Sequence, residues 1–124
     1  MPCRASYDRG VDEQAALSAA RTAGVATLVI GTSLVLAPRR VGALGGIDSA
    51  RTARAIGMLD LALSPGLLVG SPRWPWLAAR TVANVATATV VARGGWSGRA
   101  TAASLLALTA VDGSAARTLQ RLGR

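Results

Sequence analysis

The sequence contains no histidine, lysine or phenylalanine, and only one cysteine. Without histidine, the chain can form neither a Ser-His-Asp or Cys-His nucleophile system nor a histidine-containing metal site. Because Cys3 is alone, no intrachain disulfide and no cysteine-rich metal centre can form. These absences favour a protein that is not an enzyme and that uses no cofactor and no metal.

Charged residues are also scarce. They make up 16% of the chain, against about 25% in a typical soluble domain, whereas hydrophobic residues reach 51%. All 14 basic residues are arginine, and the preference for Ala, Gly, Val, Leu and Arg over Lys and Phe indicates a GC-rich genome. A length of 124 residues indicates a single domain, residues 1–124.

The arginines separate apolar runs instead of gathering in one basic patch. A nucleic-acid-binding surface needs basic residues on one face or groove, often with stacking aromatic residues. An arrangement of charges between apolar runs is typical of chains that cross a membrane. We therefore expect the lipid bilayer as the partner, and no nucleic acid. A soluble, arginine-rich helical protein that binds nucleic acid is kept as an alternative.

Four apolar segments predict an all-α fold, an integral membrane four-helix bundle with short loops. The predicted spans cover residues 15–37, 51–70, 74–92 and 99–116. Residues 1–14 are predicted to form a loose or interfacial polar segment, and residues 117–124 an arginine-rich tail. The first span ends at Pro38, and Asp48 and Ser49 offer helix-starting side chains after a glycine-rich connection.

Several residues at the ends of these spans are candidate surface anchors. Tryptophan is enriched where a membrane meets water, and arginine side chains can extend to the same interface. The candidates are Arg39, Arg40, Arg54, Trp74 and Trp76.

Small residues within the spans predict close helix packing. Gly24 and Gly31 share one face of the first span. In the second span, Ala53, Gly57, Asp60 and Ser64 form a small and polar stripe that we expect to face inward.

Four polar residues lie inside the spans and form a candidate intramembrane polar cluster: Asp60, Arg80, Asn84 and Asp112. Counting depth at 1.5 Å per residue along alternating helices places Asp60 level with Asn84, and Arg80 level with Asp112. Arg21 could also reach Asp112. Two interpretations stay open: these residues hold helices together, or Asp60 lines a small-molecule or proton site.

Three stretches carry a resemblance to a known group: TSLVLAPRRVGALGG, RTARAIGMLDLALSPGLL and LAARTVANVATATVVA. They resemble the uncharacterised small four-helix integral membrane proteins of actinobacteria, the DUF4267-like and DoxX-like group. The group's pattern falls on Pro38, Arg54, Gly57, Asp60 and Leu61, whereas Asn84 stands where related sequences often carry an acid. The resemblance implies a fold and a location more than a chemistry.

Together these observations predict a multi-pass protein of the cell (inner) membrane. Arginines are tied at six on each side of the predicted topology, and we expect both termini to be cytoplasmic because the N-terminal segment has no export features. The expected role is an accessory or structural subunit or a small binding protein, alone or in a homo-oligomer or larger membrane complex. The alternative is a proton-coupled small-molecule exporter that acts as a dimer, with Asp60 titrating.

Overall fold

The computed structural model describes the backbone of residues 2–124 and the side chains of residues 8–124, and every regular element in it is a helix. The helices are α1 (Pro2–Leu36), α2 (Pro38–Leu44), α3 (Ala50–Val69), α4 (Trp74–Val91) and α5 (Gly95–Leu122). The predicted all-α class is therefore confirmed. The side chain of Cys3 lies outside the described residues.

Both ends of the chain are more helical than predicted. α1 begins at Pro2, so residues 2–14 continue the first helix instead of forming a loose segment. Before Gly24 the segment contains no glycine except Gly10, and no proline follows Pro2 until Pro38, so nothing interrupts the helix. α5 likewise runs on through the predicted tail until Gly123, whose φ of +69° provides a left-handed C-terminal cap.

The connection between α1 and α3 is as long as predicted, but it contains a short helix. Pro38 ends α1 but also opens the short helix α2, because proline is well suited to the first helical position. Gly46 then turns the chain with a φ of +78°, and its backbone lies against Gly98 of α5, where no side chain would fit. Ser49 caps α3 as expected, since its hydroxyl oxygen accepts a hydrogen bond from the Thr52 backbone N–H at 3.3 Å.

The four long helices contact one another in pairs. α1 packs along α3, and α4 packs along α5; lesser contacts join α1 to α5 and α3 to α4. α1 and α3 approach closely because Gly31 and Gly57 face each other. A methyl group on Gly31 would lie 2.8 Å from the Gly57 carbonyl oxygen, and a methyl group on Gly57 would lie 2.8 Å from the Gly31 carbonyl oxygen. The predicted stripe on α3 does face inward, with Ala53 and Ser64 buried and Asp60 half-buried.

Two apolar clusters fill the interior, one toward each end of the molecule. The first includes Ala20, Leu67, Leu77 and Leu119, all with no exposed surface. The second includes Leu34, Ile47, Ala53, Ala88, Val91 and Ala102. Polar side chains lie toward the middle of the molecule on every long helix: Thr27 on α1, Asp60 on α3, Arg80 and Asn84 on α4, and Asp112 on α5. These five residues form a polar layer that divides the interior.

Two of the described helical segments are long and apolar enough to cross a membrane: Asp8–Leu36 and Ala50–Val69. They correspond to the first two predicted spans. The helices of the third and fourth predicted spans, α4 and α5, are not apolar enough to meet the same criterion. α4 carries Arg80 and Asn84, and α5 carries Asp112 together with its arginines.

Candidate functional site

A polar triad of Arg80, Asn84 and Asp112 connects α4 to α5. Arg80 donates a hydrogen bond from Nη1 to Asp112 Oδ2 at 2.8 Å, and both side chains are buried. Asn84, one turn further along α4, donates from Nδ2 to the same oxygen at 3.3 Å. The expected pair of Arg80 and Asp112 is thus present, and the carboxylate of Asp112 accepts two hydrogen bonds from one neighbouring helix. Arg21, the other expected partner, is exposed.

Asp60 does not make the pair that counting depth predicts. Asn84 directs its amide to Asp112, because α4 packs along α5 and makes only lesser contacts with α3. Within the described part of the chain, the Asp60 carboxylate has no hydrogen bond or ion pair; only its backbone carbonyl is used, by the Ser64 hydroxyl at 2.9 Å. The predicted pairing of Asp60 with Asn84 is therefore wrong.

A cavity of about 320 Å³ lies between all five helices, at the level of the polar layer. Asp60, Arg80 and Asn84 line it at one end, and Asp112 is bonded to the latter two. The remaining wall is mainly aliphatic and includes Leu34, Ile47, Ile56, Val91 and Leu105. The cavity therefore combines an apolar body with one small polar region.

Thr27 of α1 also lines this cavity, and it was not among the predicted site residues. Its side chain is 2% exposed, and its hydroxyl oxygen has no hydrogen-bond partner among the described residues. The sequence contains a signal that could have identified it. Thr27 lies three residues after Gly24 and four before Gly31, so it shares the face of α1 that packs against α3.

The candidate surface anchors behave in two ways. Arg39, Arg40 and Arg54 are exposed and line an open cleft of about 540 Å³ beside α2. The tryptophans also take part in packing: Trp74 is half-buried against the first apolar cluster, and Trp76, although 38% exposed, has its ring against Gly66 of α3.

Trp96, at the start of α5, was not singled out from the sequence. It is 86% exposed and lies at the same end of the molecule as the cleft, because its helix begins beside Gly46.

Within residues 8–124, no group of three or more Cys, Asp or Glu side chains is placed to hold a metal ion. Comparison of the chain with protein-family models, with curated proteins and with solved structures found no match.

Proposed function

We propose that the protein is a multi-pass integral membrane protein of the inner membrane, in which α1, α3, α4 and α5 form a four-helix bundle with both termini cytoplasmic. In this proposal it is not an enzyme but a small binding protein or an accessory subunit of a membrane complex. Membership of the DUF4267-like and DoxX-like group is part of the same proposal, supported by the sequence resemblance alone.

One observation carries the proposal: large apolar side chains are exposed along the long helices, whereas the charged side chains of Arg80 and Asp112 are buried between them. Every long helix exposes aliphatic residues along its middle, among them Val29 (59%), Met58 (65%), Val82 (70%) and Leu106 (52%). Soluble monomers rarely expose apolar surface on this scale, whereas such surface suits contact with lipid chains. Ionisable residues within membrane spans almost always face the bundle interior, as Arg80 does.

The arrangement at the α2 end supports the same proposal. Arg39, Arg40 and Arg54 are exposed there beside Leu36 and Leu44, which are 79% and 80% exposed. Arginine next to exposed aliphatic residues is typical of a segment at a lipid headgroup layer, where the guanidinium contacts phosphate and the apolar side chain enters the acyl region.

Membrane fractionation tests the proposal. The full chain is expected to sediment with membranes, to resist extraction at alkaline pH and to dissolve only when detergent is added, because peripheral proteins are released without detergent. Recovery in the soluble fraction without detergent would overturn the membrane assignment and would favour the alternative of an arginine-rich helical protein that binds nucleic acid.

A second candidate function is a proton-coupled small-molecule exporter that acts as a dimer. It is favoured by the Asp60 carboxylate, which lines the central cavity and makes no hydrogen bond or ion pair among the described residues. In proteoliposomes with a pH gradient, Asp60→Asn is expected to abolish uptake or release that depends on the gradient while the fold stays intact. Asp48→Asn is the matched control, because Asp48 is an exposed acid outside the spans.

A further inference from the structure

We propose that the central cavity binds a small lipophilic amine, with its ammonium group at Asp60 and Thr27 and its apolar body against the aliphatic wall. The inference rests on the proposed membrane location, because it takes the ligand to arrive from the lipid phase. The proposed function includes a small binding protein but names no ligand, and this inference names the chemical class of the ligand.

The first observation is the unpartnered hydroxyl of Thr27. Eight other Ser and Thr side chains of the described helices donate a hydrogen bond to the carbonyl oxygen four residues earlier. Thr27 does not, although it is more deeply buried than most of them. A buried polar atom without a partner is costly, so its presence beside a cavity indicates that a ligand group completes it.

The second observation is the charge around the cavity. Two carboxylates, Asp60 and Asp112, accompany a single guanidinium, that of Arg80. Arg80 and Asn84 are both bonded to Asp112, so Asp60 is the carboxylate left to accept hydrogen bonds. Arg80 attracts the Asp60 carboxylate electrostatically but donates its hydrogen bond to Asp112, so an ammonium group supplies the N–H donors that Asp60 lacks, whereas a ligand carboxylate would add a third negative charge.

Asp60 and Thr27 lie about one helical turn apart on the wall of the same cavity. A methyl group on Gly31 would lie 2.9 Å from Asp60 Cβ, so Gly31 and Asp60 face each other across the contact between α1 and α3. Thr27 precedes Gly31 by four residues on α1, which is about one turn, or roughly 6 Å along the helix axis. Both side chains line the same cavity.

Size and access define the apolar part of the ligand. The volume of about 320 Å³ is at the small end of the range of roughly 300–1,000 Å³ found for ligand pockets. Three lining residues, Ile30 of α1, Leu44 of α2 and Leu108 of α5, are exposed, so the cavity opens between these helices. In a membrane this side is in contact with lipid, which favours a ligand that partitions into lipid.

Benzylamine, benzyl alcohol and phenylacetate test the proposal, because they share one apolar body and differ in the polar group. Each is titrated calorimetrically into the purified full chain in detergent, and the same titration into detergent without protein is subtracted to remove partitioning into the micelle. Benzylamine is expected to bind the unaltered chain more tightly than the other two. Asp60→Asn is expected to weaken benzylamine binding about tenfold, the effect of losing one charge-assisted hydrogen bond.

Two further variants make the result decisive. Thr27→Val keeps the side-chain shape but removes the hydroxyl, and it is expected to weaken benzylamine binding by several-fold. This measurement tests the proposal even if Asp60→Asn fails to fold. Asp48→Asn is expected to leave binding unchanged. Equal benzylamine affinity in the unaltered chain and in Thr27→Val, or tighter binding of phenylacetate, would overturn the proposal. A chain that fractionates with membranes but does not bind benzylamine refutes this inference alone.

Discussion

Asp112 and Asp60 are two acids at the polar layer of one small protein, and the structure treats them differently. Asp112 is 3% exposed and accepts hydrogen bonds from both Arg80 and Asn84. Asp60 is half-buried and lines the central cavity, and its side chain makes no hydrogen bond or ion pair within the described part of the chain. One carboxylate is therefore part of the connection between α4 and α5, and the other is available to something outside the chain.

The difference shows that a polar residue in an apolar segment does not have a single meaning. A buried ion pair contributes little beyond a well-packed apolar substitute, but loss of one partner leaves an uncompensated charge. An acid without a partner contributes no such connection, so its removal has a small structural effect and a large effect on any ligand it holds. Stability and binding measurements should thus separate the two acids.

Replacement of Arg80 by methionine is expected to have the largest effect on stability. It leaves Asp112 buried with only Asn84 as a partner, at a cost of about 3–5 kcal/mol in the free energy of unfolding. Titration of the protein in mild detergent with SDS, followed by circular dichroism, measures that free energy. Val82→Ala is the control on the same helix, because Val82 is 70% exposed and its change is expected to stay within about 0.5 kcal/mol.

The double variant Arg80→Met with Asp112→Leu sharpens this result. Removal of both charges leaves neither uncompensated, so the double variant is expected to be more stable than the sum of the single changes predicts, by about 0.5–3 kcal/mol. Simple additivity would show that the two residues do not act as a pair.

The glycine contact beside Asp60 is expected to show an intermediate effect. In Gly57→Ala the new methyl group would meet the Gly31 carbonyl oxygen and Leu34 Cβ, each at 2.8 Å, so α1 and α3 must separate. We expect a loss of about 1–3 kcal/mol in the same SDS titration. Gly113→Ala, at a position with nothing within 4 Å, is the matched control and is expected to gain about 0.5–1 kcal/mol. Equal effects at the two glycines would contradict the close helix contact.

Asp60→Asn is expected to have the smallest effect on unfolding, less than about 1 kcal/mol, because no hydrogen bond or ion pair of the described residues is lost. The same SDS titration measures it beside Arg80→Met. A loss as large as that of Arg80→Met would place Asp60 in the connection between helices and would remove the contrast between the two acids.

Much of the candidate site could be predicted from the sequence, because depth along a helix follows from counting residues. The level of Arg80 and Asp112 was predicted in this way, and so was the inward stripe that contains Gly57. Counting does not show how far each helix is rotated about its own axis. Asn84 was therefore assigned to the wrong acid, and Thr27, a common residue in an apolar run, was missed.

The sequence thus determined the helical class, the cap at Ser49 and the charged and amide residues of the polar layer, since these depend on local geometry and on the periodicity of the helix. Tertiary structure decided which acid is bonded, where the cavity lies and how far each tryptophan is exposed. Those features depend on contacts between residues distant in the chain, and a single side chain such as Asn84 can satisfy only the neighbour that packing brings within reach.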